Sequence, residues 1–66
     1  MKVIESVSNQ TSISIEREEL LLIYAALNEI CNGIEVFEFE TRIGVNRERA
    51  LDFMSEVGVL LDQIEE

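Results

Sequence analysis

Three closely spaced carboxylates, Glu35, Glu38 and Glu40, are the side chains whose type and spacing come nearest to a chemical site. Carboxylate oxygens can bind a divalent cation, but a calcium loop supplies its ligands at denser intervals. On a helix, Glu38 would precede Arg42 by four residues, a spacing that gives a weak surface ion pair. We therefore interpret these residues as a solvated helix face and predict no metal and no cofactor.

Few other residues could do chemistry. The 66 residues include no histidine, so the commonest general base and metal ligand is missing. The one cysteine, Cys31, falls on the apolar face of a predicted helix, where a buried and unreactive thiol is typical. No glycine-rich loop could hold a phosphate. The sequence therefore predicts a protein without enzymatic activity.

The elements that would position these residues begin with a stretch of alternating residues, which predicts β-strands. Two sets with period two are expected to share a strand face each: Val3, Glu5 and Val7, and then Thr11, Ile13 and Ile15. Residues 8–10 between the sets indicate a hairpin turn. Because an isolated hairpin is marginally stable in water, residues 1–16 need a helix beneath them or a second copy beside them.

Helices are predicted for the rest of the chain, over residues 17–31, 36–43 and 47–64. Glu18 and Glu19 favour the start of the first helix through its dipole, and Gly33 is suited to the left-handed residue that ends it. The third helix begins after Asn46, a good N-cap residue. It continues through Gly58, although this glycine costs about 1 kcal/mol relative to alanine.

Apolar residues at helical spacing predict the core. The face on the first helix comprises Leu20, Ile23, Tyr24, Leu27, Ile30 and Cys31, and that on the third comprises Ala50, Phe53, Met54, Val57, Leu60, Leu61 and Ile64. We also place Phe37 and Phe39 in the core. Leu21 and Leu22 lie off the main face and need the hairpin or another subunit as a neighbour. These features predict one α+β domain, with a hairpin or strand at 1–16 and a helical part at 17–66.

Residues 36–54 resemble the helix-turn-helix motif of bacterial regulators. The shared residues are Phe39, Ile43, Gly44, Val45, Ala50 and Phe53. Gly44 permits the positive φ that such a turn requires. Glu40 departs from the pattern, because the motif has a small residue there. The chain after residue 15, above all residues 27–34 and 39–42, is also similar to a group of short uncharacterised bacterial proteins, which implies a shared fold and no particular activity.

The helix-turn-helix resemblance implies that the third helix enters the major groove of DNA. The DNA-contacting residues would be Asn46, Arg47 and Arg49, with Arg47 on guanine and Asn46 on adenine. The chain, however, has 14 acidic and five basic residues and a net charge of −9. No segment is basic, which opposes approach to a polyanion. A transcriptional regulator, or a subunit of one, is therefore the less favoured hypothesis.

The favoured hypothesis is a non-enzymatic protein-interaction module, for example an inhibitor or immunity-type protein that masks a basic surface. The candidate interaction residues are Leu21, Leu22, Glu48, Leu51, Asp52, Ser55 and Val59. A homodimer is expected, because so short a chain has no disulfide and is 47% apolar. We expect a cytoplasmic protein that spans no membrane, because no signal-like or membrane-spanning stretch appears.

Overall fold

A computed structural model describes residues 1–64 as an antiparallel β-hairpin followed by three helices. The strands are β1 (Lys2–Val7) and β2 (Gln10–Ser14), and the helices are α1 (Arg17–Asn28), α2 (Phe39–Ile43) and α3 (Arg47–Gln63). A π-helix, Glu29–Gly33, continues directly from α1. The α+β class, the hairpin and the order of the helices predicted from the sequence are confirmed.

The hairpin turn consists of Ser8 and Asn9 alone, because Gln10 already belongs to β2. Ser8 has a φ of 49°, in the left-handed region that a serine seldom adopts. Just beyond the turn, the Ser6 and Thr11 hydroxyls form a cross-strand hydrogen bond of 2.9 Å. A hairpin without a glycine therefore forms here by placing one serine in an unusual backbone conformation.

The strand register contains a β-bulge at Ile4. Val3 pairs with Ile13 and Glu5 pairs with Ser12, the residue immediately before Ile13, so Ile4 has no partner. The prediction that Val3, Glu5 and Val7 share one face is wrong, because the extra residue shifts the alternation between Val3 and Glu5. Val3 and Ile13 instead form an apolar pair on the face opposite Glu5 and Val7.

The carboxylate of Glu19 holds the start of α1 in place. The Glu16 backbone amide donates to the Glu19 carboxylate at 3.0 Å. The Met1 ammonium group lies 2.5 Å from the same carboxylate and joins the hairpin to the helix. The hydrogen bond from Glu16, followed by that from the Met1 ammonium group, lowers the pKa of Glu19 below its ordinary value.

The end of α1 differs from the prediction. Gly33 does not adopt a left-handed conformation and lies inside the π-helix, which ends at the extended residue Ile34. The Ile34 amide donates to the Glu29 carbonyl at 2.8 Å and closes this wider turn. A Cβ atom at position 33 would lie 2.6 Å from the Glu29 carboxylate. The glycine therefore makes room for a side chain and does not supply a positive φ.

The second helix is shorter than predicted, because it begins at Phe39 and not at residue 36. Glu38 precedes it with a φ of 52°, which separates α2 from the extended stretch before it. The Arg42 Nε donates to the Phe37 carbonyl at 2.9 Å, a backbone contact in place of the ion pair expected with Glu38. Phe37 itself is 74% exposed, so its predicted place in the core is wrong.

The turn between α2 and α3 has the predicted geometry. Gly44 adopts a φ of 97°, in the region that favours glycine. The Asn46 Oδ1 accepts a hydrogen bond of 2.8 Å from the Arg49 backbone amide and caps α3. The third helix then continues without interruption through Gly58, as predicted.

The core lies where α1 and the π-helix pack against α3. Its buried apolar side chains are Leu20, Cys31, Ala50 and Val57. The predicted burial of Cys31 is confirmed, but Tyr24, Phe53 and Leu60 are at least one-third exposed. The molecule is only 16 Å across in its smallest dimension. One pair of helices cannot cover the full width of either apolar stripe, so the outer parts of both stripes remain at the surface.

Candidate protein-interaction site

A groove of about 460 Å³ lies between α1 and α3 on the surface of the helical unit. Its lining residues are Leu21, Tyr24, Met54, Ser55, Gly58, Val59, Leu61 and Asp62. Among them are Leu21, Ser55 and Val59, three of the residues predicted to contact a protein partner. Leu21 and Val59 are 40% and 56% exposed, so their side chains are available to a ligand.

Gly58 lies in the floor of this groove, in close contact with Tyr24. A Cβ atom at position 58 would lie 3.3 Å from Cε2 of Tyr24, closer than most such contacts allow. The absence of a side chain therefore lets the tyrosine ring lie against the α3 backbone. Neither residue was predicted to belong to the site. The signal was a glycine inside a continuous apolar helical stripe, which often marks a close packing contact.

An acidic stripe leads along α3 into the groove. We define it as Glu48, Asp52, Ser55, Val59 and Asp62, which recur at intervals of three or four residues and so share one side of the helix. All five side chains are exposed. Carboxylates thus stand at both ends of this stripe, and the groove lies beneath its second half. The arrangement combines an apolar depression with a negatively charged rim.

Four of the predicted interaction residues do not line the groove. Glu48 and Asp52 belong to the acidic stripe, whereas Leu22 and Leu51 lie outside both the stripe and the groove. Leu22 is 71% exposed, but it does not line the groove although it follows Leu21 in α1. Leu51 is partly buried and lies off the acidic stripe. The structure therefore separates the predicted set into the stripe with Leu21 and two leucines that lie elsewhere.

The first arginine predicted for DNA has two partners within the chain. The Arg47 guanidinium donates to the Cys31 carbonyl at the π-helix. It also lies over the Phe39 ring, with 5.0 Å between Cζ and the ring centre. A cation over an aromatic face is attractive at this distance. Arg47 thus connects the start of α3 to the π-helix and to α2.

The second arginine also has intramolecular partners. Arg49 lies 3.5 Å from the Glu56 carboxylate and 5.8 Å from the centre of the Phe53 ring. The Asn46 side chain caps α3 by accepting from the Arg49 backbone amide. All three residues named for DNA contact therefore make contacts within the chain: Arg47 with the π-helix and α2, and Asn46 and Arg49 within α3.

Comparisons with protein-family models, with curated proteins and with solved structures found no match to this chain. Within residues 1–64, no group of three or more potential ligands is arranged to hold a metal ion. No helix in this part of the chain is long and apolar enough to cross a membrane. The resemblance of residues 36–54 to a helix-turn-helix motif stays a prediction.

Proposed function

We propose that this protein is a non-enzymatic protein-interaction module whose groove between α1 and α3 binds a basic amphipathic helix of another protein. The observation that carries the proposal is the groove of about 460 Å³ with the acidic stripe along its α3 side. A depression between two packed helices accepts a third helix readily, because side-chain ridges on one helix fit grooves between others. Helix-in-groove recognition uses apolar anchors at intervals of three and four residues.

The charge of the chain supports a basic partner. Asp62 lines the groove, and Asp52 lies one turn before Ser55 on the same side of α3. A net charge of −9 accelerates the approach of a positively charged protein and disfavours acidic ones. The apolar lining then supplies the contact area, since Leu21, Tyr24 and Val59 are each at least one-third exposed. A protein of this kind would act by covering a basic surface, as an inhibitor or immunity-type protein does.

The proposal can be tested with a synthetic helical peptide of lysine and leucine, labelled for fluorescence anisotropy. The decisive variant is Val59→Glu, which places a carboxylate in the groove, and Leu22→Glu is the matched control outside it. Both variants add the same negative charge, so electrostatic attraction to the peptide rises equally in each. We expect Val59→Glu to abolish saturable binding and Leu22→Glu to preserve it, with affinity that falls as salt increases.

Two results would contradict this proposal. Equal binding by the two variants would show that the peptide reads overall charge and not the groove. If a peptide of glutamate and leucine bound as tightly as the peptide of lysine and leucine, the acidic stripe would have no role in binding. Retention on duplex DNA that requires Arg47 and Arg49 would favour the alternative, a helix-turn-helix regulator or a subunit of one. We favour the groove because both arginines already have partners within the chain.

A further inference from the structure

The hairpin lacks a layer on either face, since every residue of β1 and β2 is exposed. Its apolar side chains Val3, Ile4 and Val7 are each more than half exposed. Two strands without a covering layer are marginally stable in water, and a third strand or more is usually needed. The hairpin therefore requires a neighbour that the helical unit of the same chain does not supply.

The chain as a whole exposes more surface than a compact protein of its size. The chain exposes 5429 Å², whereas a compact protein of 7.5 kDa exposes about 4,250 Å². Its radius of gyration is 13.3 Å, against about 11 Å for a compact chain of this length. The excess of about 1,200 Å² is larger than the roughly 800 Å² that each partner buries in a standard interface.

A second copy of the chain would cover part of this excess. Two free copies expose about 10,900 Å², and a compact protein of twice the mass exposes about 7,000 Å². The difference of about 3,900 Å² exceeds what the pairing of one five-residue strand with its copy can bury, so such pairing removes part of the excess.

The charge of the hairpin favours a second copy of the chain over a basic protein as the partner at this surface. Of the 19 Lys, Arg, Asp and Glu side chains, only Lys2 and Glu5 lie in residues 1–14. The strands are therefore neutral overall, while the rest of the chain carries the negative charge. Two chains of net charge −9 can approach each other with least repulsion through this region. A basic protein would gain little electrostatic attraction here.

The two strand edges differ in how they would accept a new strand. The outer edge of β1 carries Lys2, Glu5 and the bulge at Ile4, all of which discourage edge pairing. β2 has the sequence QTSIS, with no charged residue and no proline. The register shift of the hairpin lies in β1, and β2 itself contains no bulge. Its outer edge is open to another strand, because alternate residues of a strand direct their amide and carbonyl groups to either side.

We infer that β2 pairs antiparallel with β2 of a second copy, which makes a four-stranded sheet with the order β1-β2-β2-β1. A two-fold axis beside Ser12 pairs all five residues of the strand and sets Gln10 opposite Ser14 of the other copy. In this register the Val3–Ile13 pairs of both copies lie on one face of the sheet. This interface is separate from the groove and does not depend on the proposed function.

Disulfide trapping tests this pairing on the full-length protein. Directly opposed residues on paired strands have Cβ atoms about 4.5–5.5 Å apart, within reach of a disulfide after a small adjustment. We expect Ser12→Cys to shift under mild oxidation from 7.5 kDa to about 15 kDa on a non-reducing gel. Ser6→Cys on β1 is the control, since the outer strands of the sheet are too far apart to cross-link. The buried Cys31 is common to both variants.

Each outcome decides the matter. A 15 kDa band for Ser12→Cys alone, together with a wild-type dimer by light scattering, supports pairing through β2. Cross-linking through Ser6→Cys, or through both variants equally, would overturn the β2 edge as the interface. A wild-type monomer of 7.5 kDa at high micromolar concentration would overturn the dimer itself. Val59→Glu should remain dimeric, so loss of peptide binding and loss of the dimer are separate results.

Discussion

The helical unit contains a larger proportion of apolar residues than the hairpin, and the two regions also differ in where these residues lie. The helical unit, residues 17–64, contains the four buried side chains Leu20, Cys31, Ala50 and Val57. In the hairpin, Val3, Ile4 and Ile13 remain exposed. The helices thus bury apolar side chains against one another, whereas the paired strands bury none. A short chain can therefore contain one region that folds against itself and another that is completed only by association.

The largest expected effect is the difference in unfolding free energy between a core substitution in the helical unit and a substitution in the hairpin. Leu20 is 4% exposed, so Leu20→Ala removes packed methyl groups and should cost about 2–5 kcal/mol of unfolding free energy. Val3 is 61% exposed, so Val3→Ala should lower the unfolding free energy far less in dilute solution. The loss should be larger at high protein concentration, where β2 pairs with β2 of a second copy. Urea unfolding at two protein concentrations measures both. If both variants lost the same unfolding free energy at both protein concentrations, the distinction between the two regions would be wrong.

A smaller effect concerns the arginine that connects the helical unit. Arg47→Met should lower the unfolding free energy by about 1–2 kcal/mol, because the Cys31 carbonyl loses its charged donor. Arg49→Met removes an exposed ion pair with Glu56 and should cost less than about 1 kcal/mol. Urea unfolding of the two variants measures the difference. If Arg49→Met were the more harmful, the connecting role of Arg47 would be wrong.

Gly58→Ala should change the unfolding free energy by less than Arg47→Met does. It should also move the Tyr24 ring that lines the groove. Alanine gains about 1 kcal/mol of helix propensity, and its methyl group displaces the Tyr24 ring from 3.3 Å. We expect these effects to offset each other, and the displaced ring should weaken binding of the lysine and leucine peptide. Gln63→Ala, near the end of the same helix, is the control. Unchanged peptide affinity in Gly58→Ala would remove Tyr24 from the site.

The smallest effect is at the junction between the two regions. The hydrogen bond from the Glu16 amide and the Met1 ammonium group lower the pKa of Glu19. Because the folded-state pKa is depressed, this contribution is complete above the unfolded pKa of about 4.5 and is lost as pH falls through the folded value. NMR titration of the Glu19 carboxyl should give a midpoint below 4.5 that rises when the Met1 amino group is acetylated. A midpoint unaffected by acetylation would remove this contact.

The sequence predicts features that depend on nearby residues better than those that depend on distant ones. The Gly44 turn, the Asn46 cap and the continuity of α3 are correct because each depends on residues within one helical turn. Gly33 was misassigned because a π-helix continues through it and ends at the extended residue Ile34. The bulge at Ile4 left no signal, since periodicity alone does not reveal an unpaired residue.

The candidate site shows the same division. Leu21, Ser55 and Val59 were identified because their positions on each helix place them off the main apolar face. Tyr24 and Gly58 were missed, because their role depends on how closely α1 and α3 approach. That distance follows from the packing of the core and is not written in either helix alone. A sequence can therefore nominate a surface, whereas the depth of a groove requires the packed structure.

The most direct test of the contrast between the two regions is hydrogen exchange across a dilution series. We expect the amides of β2 to become more protected as protein concentration rises, because the second copy forms hydrogen bonds along this edge. Protection in the centres of α1 and α3 should change far less, because their contacts lie within one chain. If β2 protection were independent of concentration, or if α1 and α3 lost protection together with β2 on dilution, the contrast would be wrong.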